Sequence, residues 1–171
     1  IYTFSSQVSA VAPYSLAGKT STLVQVEYKG AKSNVVKLPV GATAPALFTM
    51  NSSGTGPAAA LNQDYSVNSP ANPADKESVV ILYGTGEGQT TPSGVDGKPA
   101  LEVFPAPLAN VAVRIGGQLA EVLYAGAAPY FVAGVLQINV KLPAGLAAGN
   151  QPVVVAIGGV SSPAGVTIAV K

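Results

Sequence analysis

The 171-residue sequence contains no cysteine, no histidine and no tryptophan, and only 10% of its residues are charged. Each absence removes a class of chemistry. Without Cys there are no disulfides, thiolate nucleophiles, cysteine zinc sites or iron–sulfur clusters. Without His there is no Ser-His-Asp triad, no imidazole base and no His-ligated zinc, copper or iron. What remains is a carboxylate pair, a Ser-Lys dyad or a hard, oxygen-ligated cation such as calcium. A charged fraction this far below the roughly 25% of ordinary globular chains excludes a coiled coil or a charged helical bundle. Nine basic against eight acidic residues give a net charge of +1, which lacks the strong basic balance of nucleic-acid binders, so no nucleic-acid partner is expected. The longest apolar runs, residues 79–82 and 153–157, are far short of the roughly 20 residues of a membrane helix. The opening IYTFSSQ has neither Met nor the basic and apolar regions of a signal peptide, so a processed or excised fragment is expected.

Hydrophobic residues make up 48% of the sequence, alongside 19 Gly and 14 Pro, which is the composition of a turn-rich β protein. The sequence also repeats itself. The stretch from Gln7 aligns with the stretch from Gln137 at an offset near 130 with a one-residue gap, matching Pro13 to Pro143, Leu16 to Leu146, Gly30 to Gly159, Ser33 to Ser162 and Val40 to Val170. Within each copy, LVQVEY (residues 23–28) and VTIAV (residues 166–170) carry strand periodicity. Lys29-Gly30, Gly116-Gly117 and Gly158-Gly159 supply tight hairpin turns. Strands at this spacing, without a helical period, predict an all-β chain with an immunoglobulin-like β-sandwich. Residues 45–171 supply about seven strands by the count such folds need, and PVGATAP (residues 39–45) reads as a linker. Residues 1–44 then form the C-terminal half of a preceding unit. Three strands alone leave an apolar face and open edges, so this piece is expected to pack on a neighbouring molecule or on its own sandwich, with strand exchange between copies the specific expectation.

Residues 60–88, ALNQDYSVNSPANPADKESVVILYGTGEG, and residues 111–162 resemble an uncharacterised repeated domain at the C-termini of large secreted acidobacterial (Solibacter-type) proteins. Residues 116–126 are also similar to the GG-x-x-A-x-V-x-Y-x-G stretch of IPT/TIG immunoglobulin-like domains. The resemblance implies a tandem, extracellular or cell-surface, non-catalytic module, and brings no catalytic residues.

Four groups of residues invite a functional reading. Asn62, Asp64, Ser66 and Asn68 place oxygens at alternate positions, as a calcium loop does. Val67 and Pro73 stand where such a loop needs Gly and a bidentate Glu, so an Asx-turn loop is the simpler reading. Residues 84–88, GTGEG, imitate a phosphate loop but precede neither a helix nor a Lys-Ser/Thr pair, so a flexible turn is expected. Asp64 and Glu87 belong to an acid-rich span, residues 62–102, from which a hydrolase could draw a carboxylate pair. Tyr130 and Phe131, in an Ala/Gly/Pro-rich loop, are the aromatics best placed to meet a sugar ring. The leading expectation is a structural or adhesive module whose partners are neighbouring units or a second copy of itself. A carbohydrate-binding module and a carboxylate hydrolase acting on a polysaccharide or ester are the alternatives.

Overall fold

In the computed structural model, which describes residues 2–4 and 7–171, β1 (Tyr2–Thr3) and β2 (Val8–Ser9) form a small antiparallel ribbon. After a 3-10 turn at Tyr14–Leu16 comes a hairpin of four short strands, β3 (Ser21–Val24), β4 (Glu27–Tyr28), β5 (Ala31–Lys32) and β6 (Val36–Pro39), with β3 on β6 and β4 on β5. There follow β7 (Ala46–Leu47), β8 (Gly56–Pro57), β9 (Ala60–Leu61), β10 (Val79–Thr85), β11 (Thr90–Thr91), β12 (Ala106–Pro107), β13 (Val111–Ile115), β14 (Gln118–Ala127), β15 (Leu136–Lys141), β16 (Gly149–Ile157), β17 (Val160–Ser161) and β18 (Val166–Val170). The described residues contain no α-helix, and the fold is all-β.

Hydrogen bonds join ten of these strands into one sheet in the order β7-β10-β15-β14-β13-β16-β18-β8, with β9 on β10 and β17 on β16. The ten-residue β14 pairs with β13 through residues 118–120 and with β15 through residues 121–127, with an irregularity in register between Val122 and Tyr124. The two ends of the path meet, because a bridge links Thr49 to Ala58, Met50 N–H donates to Pro57 O and Ala59 N–H donates to Phe48 O. The sheet thus curls around a core whose side chains follow the period of two: Val80 and Leu82, Val113 and Ile115, Leu136, Ile138 and Val140, Val153, Val155 and Ile157, and Val166, Ile168 and Val170 are all buried. Each contributes about 1.5–3 kcal/mol by leaving water.

The internal repeat is also a repeat of geometry. In the N-terminal hairpin Ser21 faces Pro39, Thr22 faces Leu38 and Tyr28 faces Ala31. In the C-terminal hairpin the corresponding pairs are Gln151 with Ile168, Pro152 with Thr167 and Ile157 with Val160. Both turns hold two residues at positive φ, Lys29-Gly30 and Gly158-Gly159, as the twist of a two-residue hairpin loop requires. Ser33 Oγ accepts from Val26 N–H at 3.0 Å, and Ser162 Oγ accepts from Val155 N–H at 3.1 Å. The insertion is Gln25, whose side-chain amide donates to Ser33 O. One sequence match shifts: Val40 N–H donates to Thr20 O, which sets Val40 against Ala169 rather than Val170.

The two hairpins differ in what covers them. Val153, Val155 and Ile157 are 0%, 2% and 0% exposed, whereas their counterparts Leu23, Val26 and Tyr28 are 68%, 46% and 68% exposed. Residues 23–39 contain no buried side chain.

Candidate functional site

The segments flanking that hairpin lie against the sheet. Ala44 N–H donates to Gly86 O at 2.9 Å, and Thr43 Oγ1 donates to Ile157 O at 2.8 Å. The approach is possible because residues 84, 86 and 88 are glycines. A Cβ on Gly84 would stand 2.6 Å from Ala46 O, and Cβ atoms on Gly86 and Gly88 would overlap the carbonyls of Ala44 and Ala42. Gly86 and Gly88 also hold φ of +83° and +77°, a region closed to most side chains. The expected flexible turn is therefore a seat for the backbone of residues 42–46. A phosphate role has no support in this geometry, since each glycine already faces a carbonyl.

Residues 11–19 and 40–44 form one wall of a cleft of about 500 Å³, and residues 85–89 with Leu108, Ala109 and Gly134 form the other. Tyr14 fastens the first wall. Its N–H donates to Asp96 Oδ1 at 2.9 Å, its carbonyl accepts from Gln89 Nε2 at 3.2 Å, and its hydroxyl donates to Glu87 Oε1 at 3.3 Å. Its ring packs where Gly94 lacks a side chain. Glu87 is 4% exposed, and its Oε2 has no hydrogen-bond partner. No cation pairs with it among the described residues, whose ion pairs are Lys32–Glu27 and Lys171–Asp75. Burial pushes the Glu87 carboxyl up, and the Tyr14 hydrogen bond offsets part of that. Burial, reinforced by the charge of Glu87, pushes the Tyr14 hydroxyl up to about 12. Tyr124, whose hydroxyl donates to Ala127 O at 2.7 Å, is raised first by burial and then by Glu87.

This raised carboxyl sets a pH dependence of known sign. The folded chain holds the Glu87 proton more tightly than the unfolded chain, so its contribution to stability is full below the ordinary value of 4.5. That contribution is lost as pH rises through the higher folded value. Thermal melts of the parent chain and of Glu87→Gln between about pH 4 and pH 8 are expected to diverge in one direction, with the Gln variant gaining relative stability as pH rises. Parallel curves would remove the inference.

Asp64 and Glu87 are not brought together. Asp64 is exposed and lines a separate cleft with Asn62, Asn72 and Lys171, and its carboxyl is held low by the Ser66 hydroxyl and N–H on Oδ1. The two carboxyls line different clefts. The oxygens of the Asn62, Asp64, Ser66 and Asn68 loop are likewise engaged. Asn62 Oδ1 accepts from Asn68 Nδ2 at 2.9 Å, and Asn68 Oδ1 accepts from Ala169 N–H at 2.8 Å. Asn68 Nδ2 also donates to Ala169 O, while Ser66 Oγ accepts from Asn72 Nδ2. Within this alternation Asn68 ties the loop to β18, while Asn62, Asp64 and Ser66 bond within the loop.

Tyr130 is 80% exposed at φ +68°, in a turn fixed by Tyr130 N–H to Ala100 O and Ala100 N–H to Phe131 O. Phe131 leans on Tyr83, with ring centroids 6.2 Å apart. The structure thus presents Tyr130 to solvent and half-anchors Phe131. Sequence reasoning missed Tyr14 and Gln89. The available signal was Glu87 itself, an acid between two glycines in a chain with few charges.

Comparison with family models, with curated proteins and with solved structures finds no match. No helix among the described residues is long and apolar enough to cross a membrane.

Proposed function

We propose that the chain is a non-catalytic structural or adhesive module of a secreted or cell-surface protein. In this reading residues 45–171 are one immunoglobulin-like β-sandwich unit, and residues 1–44 are the end of a preceding unit. The observation that carries it is the second hairpin, which reproduces the register, turn and serine hydrogen bond of the C-terminal hairpin. The seating of residues 42–46 on the glycines of β10 and the loop after it supports a joint of fixed geometry, which is what a spacer of consecutive units needs. The resemblance to repeated extracellular domains points the same way.

One observation favours a carbohydrate-binding alternative: Tyr130 is held out to solvent on a pinned turn, where an aromatic face meets a sugar ring. Co-sedimentation with insoluble cellulose, chitin and xylan separates the two. A structural module stays in the supernatant, and Tyr130→Ala behaves as the parent chain does. Retention on one polysaccharide that Tyr130→Ala abolishes would replace the structural reading with the carbohydrate-binding one.

A further inference from the structure

Resting on the tandem-unit reading above, we propose that the N-terminal hairpin accepts a strand of the β13 type from another unit of the same design, added antiparallel along the free edge of β3 and β4. The occupant is specified by the hairpin's own counterpart. In the C-terminal hairpin β16 pairs with β17 and β18 on one side and with β13 on the other, Ile115 opposite Val153, Val113 opposite Val155 and Val111 opposite Ile157. In the N-terminal hairpin β6 and β5 occupy the first side, and among the described residues no strand pairs along the second.

The side chains make the same demand as the backbone. Leu23, Val26 and Tyr28 stand at the positions of Val153, Val155 and Ile157, three residues that in the complete unit are sealed by β13 and the layer behind it. An unpaired strand edge beside an uncovered apolar row is the substrate of strand addition, in which main-chain bonds supply affinity and alternate side chains supply register. A β13-type strand carries the matching alternation, with Val113 and Ile115 fully buried and Arg114 exposed between them. The hairpin cannot take β13 from its own chain, nor from any unit in which that strand is likewise paired on both edges, so the donor is a unit whose β13 lacks a β16 partner.

The test uses the full chain and a fluorescein-labelled peptide of residues 109–124, which spans β13, its Gly116-Gly117 turn and most of β14. Saturable binding by fluorescence anisotropy is expected, with affinity at least about tenfold weaker for the double variant Leu23→Lys, Val26→Lys and for a peptide carrying Val113→Lys. Both chain substitutions lie at exposed positions, and far-UV circular dichroism verifies that the sheet is intact. Binding no stronger than that of the Val113→Lys peptide, or binding indifferent to the hairpin substitutions, would overturn the proposal. If the peptide fails while the chain still self-associates through the hairpin, hairpins cover one another and only the strand-addition mode falls. If the chain neither binds the peptide nor associates, the tandem-unit reading falls with it.

Discussion

Gly86→Ala is expected to destabilise the chain by about 2–4 kcal/mol and to free the joint between the hairpin and the sheet. Two costs combine at this position. A side chain at φ +83° is strained by itself, which accounts for roughly 1–2 kcal/mol. The added Cβ then overlaps the Ala44 carbonyl, so residues 42–45 must lift from their seat and lose the Ala44 N–H to Gly86 O bond. Gly97→Ala is the matched control, since Gly97 has φ +74° with open space around it and should show the strain alone. Limited proteolysis should cut the Gly86→Ala chain between residues 40 and 45 well before the parent or the Gly97→Ala chain. Equal rates for all three would mean that residues 42–46 are not held by the glycines.

Asn68→Ala carries the second large effect, about 3 kcal/mol, or roughly 6–12 °C in melting temperature for a chain of this size. Asn68 is buried and makes three bonds: to Asn62 Oδ1, to Ala169 O and from Ala169 N–H. Ala169 O keeps a donor, Ala74 N–H, but Ala169 N–H and Asn62 Oδ1, both on buried residues, lose their Asn68 partners. The loss should be insensitive to calcium at millimolar concentration, because the loop oxygens serve β18. Asn68→Asp replaces the donating amide with a carboxylate facing Ala169 O, and should destabilise further as pH rises above the carboxylate range. Strong rescue of the parent chain or of either variant by calcium would return the loop to the cation-binding reading.

Local order was the legible part of this sequence. The turn dipeptides Lys29-Gly30, Gly116-Gly117 and Gly158-Gly159 lie where strand periodicity breaks, and all three form tight turns at positive φ. The continuous apolar run in residues 79–83 and the β-branched, partly alternating residues 111–115 and 166–170 mark core strands, neighbouring side chains on a strand facing opposite sides. The repeat exposed the kinship of the two hairpins, although its last match was one residue out, since hydrogen bonding and not residue identity fixes register. Long-range pairing was not legible. Asn68 meets Ala169 across 101 positions and Tyr14 meets Glu87 across 73, and no local pattern encodes either. The Asx alternation and the glycine cluster were both visible, but each has two physical uses. A run of oxygens can wrap a cation or bond its own backbone, and glycines can cradle a ligand or admit a second stretch of chain. In the structure the oxygens bond the loop's own residues and β18, and the glycines admit residues 42–46.

Light scattering on the full chain across a wide concentration range tests most directly whether the hairpin is an uncovered half of a unit. The expected result is an average mass that rises with concentration above the 17.0 kDa of one chain, and that returns to one chain when Leu23 and Val26 are both replaced by lysine. A mass of one chain at every concentration, with the amides of Val26 and Ser33 as protected from hydrogen exchange as those of Val155 and Ser162, would contradict it.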